Sequence, residues 1–347
     1  MTLRQFSSAC TLVIALMASI TVNATELKLV ADEWPPFTSE KQGQRIAVDL
    51  VQTALQNASV DAKVHIVAWQ EVLSGVKAGK YDAIVGAWKT PEREQYLLFS
   101  RPYMENRIML IGRQDNKIEF GNIAQLKGKN VGVVSGYAYG DEINNNNDIK
   151  KIPDVTDADN IKKLLKNEVD FILADSLVAQ AIKEHLPDDV TNKLKIYDKE
   201  VVTQSLFFAV RKNHPDAKGL LDKFNNAVEQ MIADGTYNKI LGFTWLLADS
   251  NSDGVYEYIV GNNLPAVNYD PAEQQAGYSL FGSEPLNASS SENAPALTKK
   301  PVLKYRVLNQ EYNSWGEAKQ AIDQAREEGV APYEDTSGTF DFLIGKF

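Results

Sequence analysis

Apolar positions along the chain follow two periods that alternate. Short apolar runs at LKLVA (27–31), VHIV (64–67) and YDAIVGA (81–87) have strand length and predict buried strands. Between them, IAVDLVQTAL (46–55) and WQEVLSGVKAG (69–79) repeat every three to four residues. In the second of these Val72, Leu73 and Val76 make one helical face, and Gly79 is the stop. The alternation predicts βαβ units, hence a mostly parallel sheet covered by helices. A second unit of the same kind starts near Leu126, with NVGVVSG (130–136) and VDFILAD (169–175) as strands around the helix DADNIKKLLKN (157–167). SLFFAVRK (205–212) returns as a strand, and GLLDKFNNAVEQMIADG (219–235) is a helix ended by Gly235.

Both ends of the chain break this rhythm. Beyond Trp245, residues 263–300 are rich in Pro, Asn, Ser and Ala and predict a linker-like stretch. Residues 301–347 predict a small β-α-β module whose helix is capped by Ser314. At the other end, Arg4 precedes an apolar run from Cys10 to Ile20, and Val22-Asn23-Ala24 offers small residues at a cleavage site. Residues 1–24 therefore predict a cleaved signal peptide, a periplasmic location and no stable membrane insertion, since spanning a bilayer takes about 18 or more apolar residues. Cys10 is the only cysteine, so the mature chain is expected to carry neither disulfide nor catalytic thiol. A net charge of −10 over 347 residues argues against nucleic acid as a partner.

Ligands of open α/β sheets bind beyond the carboxyl ends of the strands. That rule nominates Ala87 to Arg93, Ser135 to Tyr139, and Asp175. Thr90 and Pro91 form a helix start, with Thr90 as N-cap. Arg93 then sits in a first turn, where the helix dipole disfavours a cation unless an anion meets it. A guanidinium fork suits a carboxylate and an aspartate suits an ammonium, a pairing that describes a zwitterion receptor. Each residue also has a plain structural reading: Asp175 as a helix cap, Trp69 as core, Lys89 as a solvated charge.

The ordered segments EWPPF (33–37), VLSGVKAGKYDAIVGAWKTPERE (72–94), FSRPY (99–103), LKGKNVGVVSGYAY (126–139), VDFILADSLVA (169–179), FFAVRK (207–212) and ADGTYNKI (233–240) resemble the family 3 extracellular solute-binding proteins, over roughly residues 25–245. The resemblance implies a two-lobed, type II periplasmic binding protein-like α/β fold with mostly parallel sheets and a hinge, plus a small α+β C-terminal extension. Lobe 1 would be 25–113 with 206–247, and lobe 2 would be 114–205. It further implies a receptor, not an enzyme, that captures an amino acid or related zwitterion in the interlobe cleft for an inner-membrane ABC permease. A sensory or scaffold role, and a dehydratase-type enzyme on the same scaffold, are the alternatives.

Carried over residue by residue, the resemblance places the carboxylate-binding arginine at Arg93, the ammonium-binding aspartate at Asp175 and the covering aromatic at Trp34. The backbone after the lobe 2 glycine falls on Tyr137, Ala138 and Tyr139. Two hydroxyl donors usual to the family are missing, because Ala138 replaces a threonine and the stretch before the arginine is a shortened AWKT. Trp88 and Lys89 stand there instead, next to Thr90. Trp34, Trp69, Trp88, Tyr137 and Tyr139 together suggest an aromatic-walled cleft for a larger or cationic solute.

One further motif lies in ADSNSDGVYEYIVG (248–261). Asp249, Asn251, Asp253 and Glu257 supply oxygen ligands at loop positions 1, 3, 5 and 9, the Val255 carbonyl serves at position 7, and Gly254 gives the sharp turn. Position 12 is Val260, so this is no full EF-hand; it reads either as a weak calcium site or as a metal-free turn. No cofactor is otherwise required. His65, His185 and His214 are scattered, and GVVSG is not a nucleophile elbow.

Overall fold

The computed structural model describes residues 26–242 apart from 44, together with 245–248, 255–260, 270–274, 278–280 and 303–328. The expected signal peptide and its cleavage site lie outside the described residues. In the first lobe, β1 (Leu27–Ala31) pairs in parallel with β2 (Ala62–Ile66) and β3 (Ala83–Trp88). α1 (Ile46–Asn57) buries its Val48, Val51 and Leu55 face, as its spacing predicts, and α2 (Trp69–Lys77) buries Val72 and Val76. The α-helix expected after Thr90-Pro91 is a single 3-10 turn, Arg93–Gln95. The chain has no room for more, because it runs at once into β4 (Leu97–Phe99), which pairs antiparallel with the last long strand of the sheet.

β5 (Met104–Arg113) leaves the first lobe for the second. There β6 (Asn130–Val134) pairs in parallel with β7 (Lys150–Asp154) and β8 (Phe171–Asp175). Four helices, α3 (Asp141–Asn144), α4 (Asp157–Leu165), α5 (Ser176–His185) and α6 (Asp188–Thr191), follow in chain order among these strands. β9 (Leu194–Arg211), eighteen residues long, then returns. It pairs antiparallel with β5 over most of its length and ends against β3 and β4, so β5 and β9 are the two crossovers that join the lobes. β5 already belongs to the second lobe's sheet over Ile108–Gly112, where it pairs with β8. The strand order β2-β1-β3-β9-β5-β8-β6-β7 thus holds two parallel trios back to back, each in α/β form, joined through the antiparallel crossovers.

α7 (Ala217–Asp234) and α8 (Thr236–Leu241) return to the first lobe, and between them Gly235 takes the left-handed conformation expected of a C-cap, with φ +82°. Beyond them, β10 (Leu246–Ala248), β11 (Tyr256–Val260), β12 (Tyr278–Leu280), β13 (Leu303–Val307) and β14 (Gln310–Tyr312) form a second sheet in the order β12-β10-β11-β13-β14. α9 (Pro271–Gln274) and β12 both stand inside the stretch expected to be a linker. α10 (Trp315–Glu327) covers this sheet through Ala318, Ile322 and Ala325, and the Ser314 hydroxyl caps it as expected by accepting from Glu317 N. Asn238 Nδ2 donates to Ile259 O at 2.9 Å, which ties the second sheet to the first lobe.

Candidate functional site

Two segments at the carboxyl ends of first-lobe strands build one wall of the cleft. After β1, Trp34 is held in a tight turn: its N–H donates to Thr38 O, and Phe37 N–H donates back to Trp34 O, each at 2.8 Å. After β3, the Thr90 hydroxyl accepts from Arg93 N at 3.1 Å and so sets the turn that aims Arg93 inward. Thr90 acts as the cap and borders neither of the two cavities described below. Trp88 points into the cleft, and its indole N–H donates to Asn106 Oδ1 on β5 at 2.7 Å.

Lys89 does not join the site. One residue after an inward-facing Trp88, the alternation of an extended chain turns it to solvent, where it pairs with Glu94 at 2.9 Å.

The opposite wall is the turn after β6. Gly136 has φ +78°, and a Cβ on it would lie 3.1 Å from the Trp69 ring, so a side chain here would be strained and crowded. The close approach lets Gly136 O accept from Trp69 Nε1 at 2.9 Å and from Arg93 Nη2 at 3.1 Å. Tyr137 follows and enters the first lobe's aromatic group. Its ring centroid lies 5.8 Å from Trp34, 5.6 Å from Trp69, 5.3 Å from Trp88 and 6.0 Å from Tyr139. Its hydroxyl donates to Asp32 Oδ2 at 2.7 Å. Ala138 is buried behind this turn, and the Tyr139 oxygen accepts from Val134 N at 2.9 Å. All five expected aromatic residues therefore meet, and they close on one another.

Arg93 is 5% exposed. Its guanidinium is spent on the protein itself, since Nη1 donates to Trp88 O, Nη2 donates to Gly136 O, and the group lies 4.9 Å from the Trp69 ring centroid. Burial lowers its pKa from the ordinary arginine value, and neighbouring Tyr96, Glu92, Tyr137 and Asp32 oppose that. The space left beside it, bordered by Asp32, Gly86, Trp88 and Tyr137, is about 20 Å³. That is room for about one water.

Asp175, at the end of β8, is 2% exposed and performs the capping role open to it, with Oδ1 accepting from Leu177 N at 2.7 Å. Burial pushes its carboxyl up to about 7; the Leu177 N–H, the Asn106 side chain and Arg107 pull the other way. Asn106 is near enough to be felt, yet Asp175 Oδ2 and Asn106 Nδ2 are both buried without a hydrogen-bond partner. Orphaned polar atoms of this kind call for water or ligand.

Two carboxylates absent from the expected set complete the cleft. Asp32 is pushed up to about 6, chiefly by burial and against the Tyr137 hydrogen bond. Asp157, in the first turn of α4, is pushed up to about 7 by desolvation and by the charges of Asp175 and Asp32, against a hydrogen bond from the Trp34 side chain. Both sit just past strand ends, β1 and β7, where the rule that nominated Arg93 also points. Asp157 borders a second, larger cavity of about 110 Å³ between Trp34, Pro35 and Pro36 on one side and the α4 and α5 segments on the other.

For the expected calcium loop, Asp249, Asn251 and Asp253 lie outside the described residues. Val255 precedes β11, and Glu257 lies within that strand with its carboxylate committed elsewhere. It is 2% exposed and takes a two-point ion pair from Arg306, Nε at 3.0 Å and Nη2 at 2.6 Å. Among the described residues no group of three or more acidic, histidine or cysteine side chains is arranged to hold a metal.

Comparison with known proteins agrees with this geometry. The chain is 30% identical over 235 residues to the ABC transporter arginine-binding protein 1 of Escherichia coli (strain K12), covering 65% of this chain and 94% of that one. The solved structure of an ancestral arginine-binding protein bound to glutamine superposes with a TM-score of 0.54 at 25% identity, covering 62% of this chain and 96% of that one. A histidine kinase sensor domain with similarity to periplasmic binding proteins shares the fold, with a TM-score of 0.55 at 20% identity over 63% of this chain and 95% of that one. The family model for bacterial extracellular solute-binding proteins, family 3, matches residues 28–245, and with the two lobes, the paired crossovers and the cleft in place, the chain belongs to that family.

Proposed function

We propose that the protein is a periplasmic receptor that captures a small amine-bearing solute, an amino acid or a close chemical relative, between its lobes and delivers it to an inner-membrane ABC permease. One observation carries the reading: two lobes joined by β5 and β9 bring the buried Asp32 and Asp175 together with the half-buried Asp157, and Asp157 and Asp175 have no ion-pair partner among the described residues. A protonated amine is the ligand such groups await. It favours the closed state by the difference in its affinity for the closed and open forms, and nothing more is needed to drive a receptor. Micromolar capture needs about 8 kcal/mol. Desolvated charge pairing with aromatic contact is of the right size to supply it.

The reading is of binding without turnover. Isothermal titration of the purified protein with a panel of amino acids and simple amines should find at least one saturable ligand recovered unchanged. No saturable heat from any amine, or a ligand recovered altered, would overturn it.

A further inference from the structure

The two halves of the cleft are unequally prepared for a ligand. In the inner half the Arg93 guanidinium is held by two backbone carbonyls and covered by Trp69, and Tyr137 fills the space in front of it. A ligand carboxylate would have to displace Gly136 O and the whole Tyr137 ring to reach Arg93. The outer half has about 110 Å³ open, enough for a chain of several heavy atoms. Its walls are the Trp34 and Tyr137 rings with Pro35 and Pro36, and Val178 lies on the far side.

The charges around the outer cavity are unequally satisfied. Glu33 accepts from the Ser39 hydroxyl at 2.8 Å. Asp159 takes the Thr156 hydroxyl at 2.7 Å and Lys162 at 3.5 Å. Asp157 is met only by the Trp34 side chain, and no described residue forms an ion pair with it. The first turn of α4 favours an acid through the helix dipole, which accounts for a carboxylate being tolerated there. It does not account for that carboxylate lining a cavity beside an indole with no described cation paired to it. A carboxylate flanked by two aromatic rings is the chemistry that holds an alkylammonium or guanidinium group, by charge at one end and by ring faces along the side.

We propose that this outer cavity is the cation site of the receptor, with Asp157 as counter-ion and Trp34 and Tyr137 as walls, and that the ligand is recognised by its cationic group, an α-carboxylate being dispensable. The inference rests on the receptor reading above and narrows its ligand to organic cations such as short diamines and guanidinoalkylamines.

The test compares each basic amino acid with its decarboxylated counterpart by titration calorimetry: arginine with agmatine, lysine with cadaverine, ornithine with putrescine. In the tightest-binding pair, the amine is expected to bind within threefold of the amino acid or more tightly. An amine more than threefold weaker overturns the proposal and leaves the receptor reading intact; silence from all six compounds, with no amino acid binding either, removes both. Asp157→Asn should weaken the best ligand at least tenfold with no loss of melting temperature, and a smaller loss of affinity overturns the assignment of Asp157. Ala181→Leu, which fills the same cavity from α5 without touching a charge, reads the site independently should the asparagine variant fold poorly. Binding unaffected by it would place the ligand elsewhere and overturn the proposal.

Discussion

The inner and outer halves of the cleft are lined by the same kinds of side chain, yet they do opposite work. Around Arg93 both guanidinium nitrogens Nη1 and Nη2, the Trp69 indole and the Tyr137 hydroxyl have acceptors within the protein, and the lobes are latched by Trp69 and Arg93 on Gly136 O and by Tyr137 on Asp32. Around Asp157 a half-buried carboxylate lines the cavity with no cation paired to it among the described residues. A satisfied polar network stabilises and specifies one conformation, whereas an unsatisfied one is a cost that a ligand can relieve. On the proposal above, the inner half closes the molecule and the outer half chooses what it closes on.

The sharpest way to break that contrast is Arg93→Ala. Removing the guanidinium takes the Nη1 donor from Trp88 O at a buried site, leaves Gly136 O with the Trp69 indole N–H alone, and opens a void against Trp69. A loss of about 2–4 kcal/mol is expected in urea denaturation. An unchanged midpoint would mean that Arg93 contributes nothing to the latch and is free for ligand after all. Next in size is Tyr137→Phe, which keeps the ring and deletes only the hydroxyl that reaches Asp32. The expected loss is about 1–2 kcal/mol. It should be larger at pH 8 than at pH 5, because the hydrogen bond supports the charged form of Asp32, which titrates at about 6. A loss independent of pH would show that the hydroxyl acts through packing alone.

The sequence and the structure agree where information is local. Helix faces such as Val72–Val76, the Gly235 cap and the Ser314 cap are written in residues a few positions apart, and each forms as its spacing requires. The Thr90 turn is also local, but its length is set by β4 pairing to a strand more than a hundred residues away, so a helix start became one 3-10 turn. In the site, Arg93, Trp88 and Tyr137, nominated by their place at strand ends, meet Trp34, which the family resemblance placed there. Whether a group there is free or spent depends on the other lobe, and nothing near Arg93 in the chain announces that Gly136 O will occupy it. Asp32 and Asp157 were legible by the same strand-end rule. Their chemistry arises only when the fold brings them together in the cleft, which no short motif records. Lys89 and Glu257 show the converse: suitable ligand groups that a solvent-facing ion pair and a strand partner had already claimed.

The smallest effect, and the one that isolates the outer half, is the pH dependence of stability in Asp157→Asn. In the folded protein Asp157 holds its proton up to about pH 7, pushed there by desolvation first and then by Asp175 and Asp32; Asp159, Glu33 and Lys162 border the same cavity. Unfolded, an aspartate loses its proton near pH 4. Between those values the folded state binds more protons than the unfolded one, so this group's contribution to stability falls as pH rises from about 4 to about 7 and is flat beyond. Asparagine has no proton to lose and removes that slope. The variant and the wild type should therefore melt together near pH 4 to 5, and the variant should gain by a few degrees at pH 8. Adding a bound organic cation at pH 8 should shrink this gap, because the ligand stabilises only the carboxylate form and raises the wild type alone. Melting curves that stay parallel across the range would mean that Asp157 is solvated in the folded protein, and the distinction between the two halves of the cleft would then be lost.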